Sequence, residues 1–170
     1  MDFLKLAQER YSMRKFDGRP LSKDDKQKIL EVARLAPTAK NLQPQRIFVL
    51  ESEEAIEKLN RCTACGFGAK TAFLICYDKN ESWKRDTDGV DSGYVDAAIV
   101  TTHMMLEATA IGAGSTFVMW FDEKQARKEF EIPQNLHIVC FLVCGYPSEE
   151  ARPSRLHSSR KALEETVKSI

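Results

Sequence analysis

The sequence has no excess of charge of either sign, because its 25 lysine and arginine residues equal its 25 aspartate and glutamate residues. It therefore lacks the overall positive field that draws a protein to nucleic acid or to an anionic membrane. It also lacks an uninterrupted run of the roughly 18 apolar residues that a transmembrane helix needs, and its first residues do not join a basic stretch to an apolar one. We expect a soluble, cytoplasmic protein in which any anion site is local.

Several motifs of catalytic and metal sites are also missing. The sequence has no Walker phosphate loop, no His-Glu-x-x-His zinc motif and no Gly-x-Ser-x-Gly nucleophile elbow, so hydrolase chemistry has no candidate residues. The five cysteines, an odd number, argue against a disulfide framework. Cys62 and Cys65 form a Cys-x-x-Cys pair, but no second pair and no paired histidines complete a four-ligand site. We expect neither a metal nor a redox dithiol there.

The 170 residues suit one domain with a substantial core, which we expect to span 1–170. Apolar periodicity and capping residues predict helices over 2–10, 23–36 and 93–111, a helix capped by Ser52 and a short helix capped by Asp122. Apolar runs predict strands over 47–50, 72–77, 115–121 and 137–144. Because these elements do not form a clean βαβ series, an α+β sandwich around one sheet is expected. The helix over 93–111 is apolar nearly all round, which favours burial or contact with a partner subunit.

The segment from Arg10 to Phe16 is the strongest candidate for an anion site. Arg10, Ser12 and Arg14 alternate along it, so in an extended segment their side chains face one side. Two planar guanidinium groups and one hydroxyl on the same side suit a phosphate. The alternative is a solvated basic turn between two helices.

Two polar stretches are weaker candidates. The loop 37–46 contains small and amide side chains between two prolines, which offer donors and acceptors to a planar group, although an ordinary helix-to-strand connection has the same composition. The polar segment 78–92 is long enough to form a lid, in which Trp83 either caps a pocket or anchors its own segment. His103 and Glu107, four residues apart, are best explained as a surface pair on a helix.

Five stretches, in the same order and at similar spacing, resemble the FMN-dependent nitroreductase family in its short form of about 170 residues. They are Arg10–Arg14, Ala36–Pro44, Gly112–Thr116, Gly145–Pro147 and Arg160–Glu165, and the resemblance covers about residues 3–167. It implies a nitroreductase-like α+β sandwich with a central mixed sheet flanked by helices. It also implies an intertwined homodimer whose C-terminal segments cross to the partner and whose two flavins lie at the subunit boundary.

The resemblance further implies a set of FMN ligands. Arg10 and Ser12 would bind the phosphate together with Arg160 and His157 of the tail, and Arg14 would lie near the pyrimidine edge, where its charge would raise the reduction potential of the flavin. The loop after residue 36 would cover the ring of the partner's flavin, and the segment at Gly114 would lie beneath the ring, where a missing side chain permits close approach. The implied cofactor-binding residues are Arg10, Tyr11, Ser12, Arg14, Pro37, Thr38, Ala39, Asn41, Gly114, Ser115, Thr116, His157 and Arg160.

The activity implied by the resemblance is transfer of hydride from NAD(P)H through flavin N5 to a nitroaromatic, a quinone or a related acceptor, in a ping-pong sequence that needs no nucleophilic side chain. Gln45 and the segment Val118-Met119-Trp120 depart from residues common in relatives, near the flavin or its acceptor pocket. Phe67, Trp83 and Trp120 are the candidate walls of that pocket. Two alternatives stay open: an FMN-binding storage or sensing protein with little NAD(P)H turnover, and a flavin enzyme of the same fold that performs reductive dehalogenation or flavin breakdown.

Overall fold

Six α-helices and four strands make up the structure, a computed structural model that describes residues 2–170. The helices are α1 (Phe3–Glu9), α2 (Lys23–Leu35), α3 (Glu53–Cys62), α4 (Gly93–Ala110), α5 (Glu123–Glu129) and α6 (Leu163–Thr166). The strands are β1 (Gln45–Leu50), β2 (Thr71–Asp78), β3 (Gly114–Val118) and β4 (Leu136–Gly145), and a 3-10 turn covers Ala39–Asn41. Of these helices, none has the length and apolar character needed to cross a membrane.

The strands form one sheet in the order β1-β2-β4-β3, and each neighbouring pair is antiparallel. The sheet therefore differs from the mixed sheet that was expected: within residues 2–170, parallel pairing is confined to a bridge between Ser12 and Ser115. The central strands β2 and β4 are buried on both faces, β4 with His137 as its half-buried exception. This burial explains why both strands are continuous apolar runs in the sequence.

Helices cover both faces of the sheet. Alternate β2 residues, beginning with Phe73 and Ile75, pack against Ile29 of α2 and Met104 of α4. The intervening residues, such as Leu74, face the other way and pack with residues of α3 and α5. The expected α+β sandwich is confirmed, with one apolar cluster on each face of the sheet.

Helices α2, α3 and α5 begin at the predicted capping residues, but the capping box predicted for α2 is incomplete. Ser52 Oγ accepts from the Ala55 N–H at 3.1 Å, and Asp122 Oδ1 accepts from the Gln125 N–H at 2.9 Å. Ser22 Oγ likewise accepts from the Asp25 N–H at 3.1 Å. The Asp25 carboxylate does not return the bond expected of a capping box, because it accepts from the Tyr146 hydroxyl at 2.7 Å instead.

One predicted strand is too long. The apolar run 115–121 forms a strand only to Val118, and Met119 and Trp120 leave the sheet with exposed side chains. The Thr63 hydroxyl donates to the Trp120 carbonyl at 2.6 Å, so this carbonyl bonds outside the sheet. A tertiary hydrogen bond of this kind leaves no trace in the apolar pattern.

The outer face of α4 and the C-terminal tail carry exposed apolar side chains. Tyr94 and Val95 of α4 are 48% and 60% exposed, and they line a shallow groove of about 430 Å³ along the helix. In the tail, Leu156, Leu163 and Val167 are exposed as well. The core therefore buries one side of the nearly all-apolar helix α4 and leaves apolar residues of its outer face exposed.

Candidate functional site

The segment from Arg10 to Arg14 leaves α1 in an extended conformation and lies beside β3. The Met13 N–H donates to the Ser115 carbonyl at 3.0 Å, and the Thr116 hydroxyl donates to the Met13 carbonyl. The side chain of Met13 is buried, whereas Arg14 is exposed. Met13 and Arg14 thus face opposite sides as the predicted alternation requires, whereas Tyr11 lines the same cleft as Arg10 and Ser12.

Gly114 has a packing role in this arrangement. A Cβ atom at this position would lie 2.3 Å from Cε and 2.6 Å from Sδ of Met13, so a side chain here would displace the flexible end of the Met13 side chain. Ser115 and Thr116 hold the same segment through the bonds described above. Their contact with a flavin ring stays a prediction, but the structure shows that Gly114–Thr116 supports the basic segment.

The two ends of the chain meet in one cleft of about 300 Å³. Its lining residues are Arg10, Tyr11, Ser12, Arg14, Ser154, Leu156, His157 and Arg160. Tyr11 contacts His157 edge to face, with ring centroids 6.1 Å apart. Nε2 of His157 lies 2.9 Å from the Gln8 carbonyl oxygen. Because a carbonyl can only accept, Nε2 is the donor, and this bond fastens the tail to α1.

The arginines of the cleft have no acidic partners. Within residues 2–170, Arg10, Arg14 and Arg160 take part in no ion pair, and no carboxylate lines the cleft. Nη1 of Arg14 donates to the Ser12 carbonyl at 3.2 Å, and Nη1 of Arg160 donates to the Ser159 carbonyl at 2.7 Å. By contrast, ion pairs with carboxylates are formed by Arg19, Arg34, Arg46, Arg61, Arg85 and Arg127. In a chain without net charge, three such guanidinium groups give this cleft a local positive charge.

The loop 37–44 does not line this cleft. The Ala39 N–H donates to Asp96 Oδ1 at 2.9 Å, and the Gln43 N–H donates to Thr38 Oγ1 at 3.0 Å. The first bond ties the loop to the start of α4, and the second closes the loop on itself. The predicted ligands Pro37, Thr38, Ala39 and Asn41 are thus separate from the basic cleft of their own chain. The resemblance assigns them to the flavin of a partner subunit, and that assignment stays a prediction.

The three candidate pocket walls fall into two groups. Phe67 lies beside the cleft, with its ring centroid 6.0 Å from Cζ of Arg14. Trp120 is 73% exposed, and its backbone is bonded to Thr63 of the loop that also carries Phe67. Trp83 lies apart from both, with its ring 5.8 Å from Nζ of Lys40 in the loop 37–44.

Sequence reasoning missed two residues that hold these walls, Asp96 and Thr63. Each is joined to a residue 57 positions away, Asp96 to Ala39 and Thr63 to Trp120. Neither belongs to a motif, and both are buried. The signal for Asp96 was a carboxylate in the first turn of a largely apolar helix.

The Cys-x-x-Cys pair shows no sign of activation at Cys62. Cys62 ends α3 with its Sγ 3.2 Å from the Lys58 carbonyl oxygen. Burial raises the pKa of its thiol to about 11, so Cys62 is protonated at neutral pH. Within residues 2–170, no group of three or more ligating side chains could hold a metal ion.

Comparison with known proteins decides the family. The model of the Nitroreductase family matches residues 7–72 and 61–146. The chain belongs to the nitroreductase family. The crystal structure of a nitroreductase family protein from Clostridium difficile 630 has 41% sequence identity and a TM-score of 0.93, and the alignment covers 99% of this chain and 98% of that one.

More distant relatives support the same family assignment. An FMN-dependent nitroreductase from Clostridium difficile R20291 has 26% identity and a TM-score of 0.75, over 89% of this chain and 91% of that one. A protein from Archaeoglobus fulgidus with the provisional name NADH dehydrogenase/NAD(P)H nitroreductase is 27% identical over 173 residues, which is 92% of this chain and 97% of its own length. The predicted family is confirmed, and the chain is an oxidoreductase of that family.

Proposed function

We propose that this nitroreductase family chain is an FMN-dependent NAD(P)H oxidoreductase, with one FMN-binding domain over residues 1–170. FMN held in the cleft would accept hydride from NAD(P)H at N5 and pass it, after the nicotinamide has left, to a nitroaromatic, a quinone or a related acceptor. The observation that carries the proposal is the cleft of about 300 Å³ with three arginines free of ion pairs. The FMN-dependent relative from Clostridium difficile supports the choice of cofactor.

The donor set of the cleft fits the phosphate of FMN. Arg10 and Arg160 come from the two ends of the chain, and each can bind phosphate oxygens in bidentate fashion. Ser12 adds a hydroxyl donor to the same cleft, and His157 is held in place by its bond to Gln8. Because no carboxylate lines the cleft, the phosphate meets no repulsive charge.

Arg14 serves the ring end of the cofactor. Its guanidinium group lies beside the Phe67 ring and donates to the backbone carbonyl of Ser12. A cation near the pyrimidine edge of the ring stabilises negative charge on the reduced flavin. The exposed Trp120 and the ring of Phe67 then supply apolar walls for a planar acceptor.

The proposal includes a homodimer. The loop 37–44 does not line the cleft of its own chain, which supports a cover supplied by a second copy. The outer face of α4, with Val95 and Tyr94 exposed, and the exposed apolar residues of the tail are the surfaces available for that copy. Burial of such apolar area is the usual driving force of obligate dimers.

An anaerobic absorbance experiment tests the function. The purified protein is loaded with FMN, and NADH and then NADPH are added while the visible flavin bands are followed. The proposal predicts that at least one nicotinamide bleaches the bands within seconds and that a quinone or a nitroaromatic restores them. Bands that only dithionite bleaches would favour the storage or sensing function, and failure to bind FMN would refute the proposal.

A further inference from the structure

Asp96 is a buried carboxylate whose partners are neutral. It is 2% exposed, it lies in the first turn of α4, and within residues 2–170 it forms no ion pair. Oδ1 accepts from the Ala39 N–H at 2.9 Å, and Oδ2 accepts from the Ser92 hydroxyl at 2.7 Å. A buried carboxylate is costly unless hydrogen bonds satisfy it, and the N-terminal turn of an α-helix adds a favourable dipole.

The two donors to Asp96 belong to different surface segments. Ala39 lies in the loop 37–44, and Ser92 ends the polar segment 79–92. The Ser92 N–H in turn donates to the Trp83 carbonyl at 2.9 Å. A continuous chain of hydrogen bonds therefore runs from Trp83 through Ser92 and Asp96 to Ala39. Nζ of Lys40, 5.8 Å from the centroid of the Trp83 ring, joins the same two segments a second time.

The loop needs such support because its backbone is unfavourable. Lys40, Asn41 and Gln43 have φ values of 51°, 55° and 51°, in the left-handed region that residues with a Cβ seldom adopt. Such conformations persist where the surrounding structure enforces them. The bond from Ala39 to Asp96 comes directly before Lys40, and the buried Pro44 follows Gln43, so both ends of the left-handed stretch are anchored.

We propose that Asp96 is a positioning residue, which holds the loop 37–44 and Trp83 as one wall over the flavin ring of a neighbouring copy. It acts through the Ala39 amide and the Ser92 hydroxyl, and it touches neither cofactor nor substrate. The inference rests on the proposed function, which supplies the flavin. Beyond that function, it assigns to Asp96 the role of joining two separate surface segments into a single cover.

Three variants test the proposal. Asp96→Asn keeps an oxygen for the Ala39 N–H, and its amide group can donate to the Ser92 oxygen, so the link survives without the charge. Asp96→Ala removes both bonds. Asp78→Ala is the matched control, because Asp78 is also a buried carboxylate with neutral donors, the Asn80 N–H at 2.9 Å and Nδ2 of Asn135 at 2.7 Å.

The first measurement is hydrogen exchange at the Ala39 amide in the protein without cofactor. We expect Asp96→Ala to speed exchange at least about tenfold, the factor that corresponds to loss of one ordinary hydrogen bond. Asp96→Asn should stay within about threefold of the parent protein, and Asp78→Ala should leave Ala39 protected. Unchanged exchange in Asp96→Ala, or an Asn variant as fast as the Ala variant, would overturn the proposal.

The second measurement uses the FMN-loaded protein. Because the phosphate contacts are intact, Asp96→Ala should weaken FMN binding by less than about tenfold. The same variant should slow the bleaching of FMN by saturating NAD(P)H by more than about tenfold. Asp96→Asn should restore the bleaching rate. Equal bleaching rates in all variants would overturn the positioning role. If the parent protein binds no FMN, the proposed function fails, whereas Ala39 exchange still reports the link to Asp96.

A milder variant covers the case in which Asp96→Ala does not fold. Ser92→Ala keeps Asp96 and its bond to Ala39 but removes the side-chain bond between Ser92 and Asp96, while the backbone bonds of Ser92 remain. In a Trp120→Phe background, the fluorescence of Trp83 should change on this substitution while Ala39 stays protected. An unchanged Trp83 signal would show that Ser92 does not hold the segment, which contradicts the proposed single wall.

Discussion

Arg14 differs from the other arginines of the cleft, because its guanidinium group faces Phe67 and the Ser12 carbonyl. We expect Arg14→Ala to lower the two-electron reduction potential of bound FMN by roughly 30 mV or more, about 1.4 kcal/mol, since a cation near the ring favours the reduced state. The potential is measured by anaerobic titration against a reference dye. Arg152→Ala is the control, because Arg152 binds backbone carbonyls outside the cleft. An unchanged potential with severe loss of FMN would place Arg14 at the phosphate instead.

Residues that act locally could be predicted from the sequence, and residues that act across the fold could not. The alternation in Arg10–Arg14 follows from strand geometry alone. Asp96 and Thr63 bind residues 57 positions away, and no local pattern contains such a pair. The predicted place of Gly114 beneath the flavin ring stays a prediction, whereas the structure gives it a packing role with Met13, which nothing in the sequence connects to it.

At the scale of elements, α4 allows a direct test of the proposed dimer. Val95 is 60% exposed on the outer face of this helix. Val95→Glu should leave the fold of one chain intact, because the side chain is free of the core, but it should place a charge in the subunit interface and produce monomers. Sedimentation velocity measures the change, with the exposed substitution Gln27→Glu as control. A Val95→Glu protein that remains dimeric would exclude this face as the interface.

The elements that the sequence predicted well are those whose burial is uniform. Strands β2 and β4 lie inside the sheet and are apolar throughout, so their positions were predicted within one or two residues. The strand at 115–121 was predicted too long because Met119 and Trp120 are apolar but exposed. The order and direction of the strands depend on contacts between distant residues, and the expected mixed sheet is instead antiparallel between its four strands.

At the scale of the whole molecule, the buried core predicts how stability depends on alkaline pH. Burial raises the pKa values of the Cys76 and Cys140 thiols to about 12 and that of the Tyr77 hydroxyl to about 12. In the unfolded chain these groups titrate near 8.5 and 10. Their stabilising contribution is therefore complete below about pH 8.5 and is lost as pH rises toward the folded values, because unfolding then releases protons.

We expect the melting temperature to fall steadily between about pH 8.5 and pH 11, as measured by calorimetry. Cys76→Ala opens a small cavity and therefore lowers the free energy of unfolding at neutral pH. With rising pH, the free energy of unfolding of this variant should fall less steeply than that of the parent protein, and the difference in slope should be up to about 1.4 kcal/mol per pH unit. A melting temperature that stays constant over this range would contradict the account of the buried thiols.

The central claim is that both ends of the chain bind one phosphate, and the most direct test compares FMN with riboflavin, which lacks that phosphate. Dissociation constants for both are measured by fluorescence titration of the parent protein and of Arg10→Ala/Arg160→Ala. The parent should bind FMN at least about a hundredfold more tightly, since two charged contacts contribute about 1.5–3 kcal/mol each. The double variant should lose this preference while its affinity for riboflavin stays the same. Equal affinities in the parent protein, or a preference that survives both substitutions, would contradict the claim.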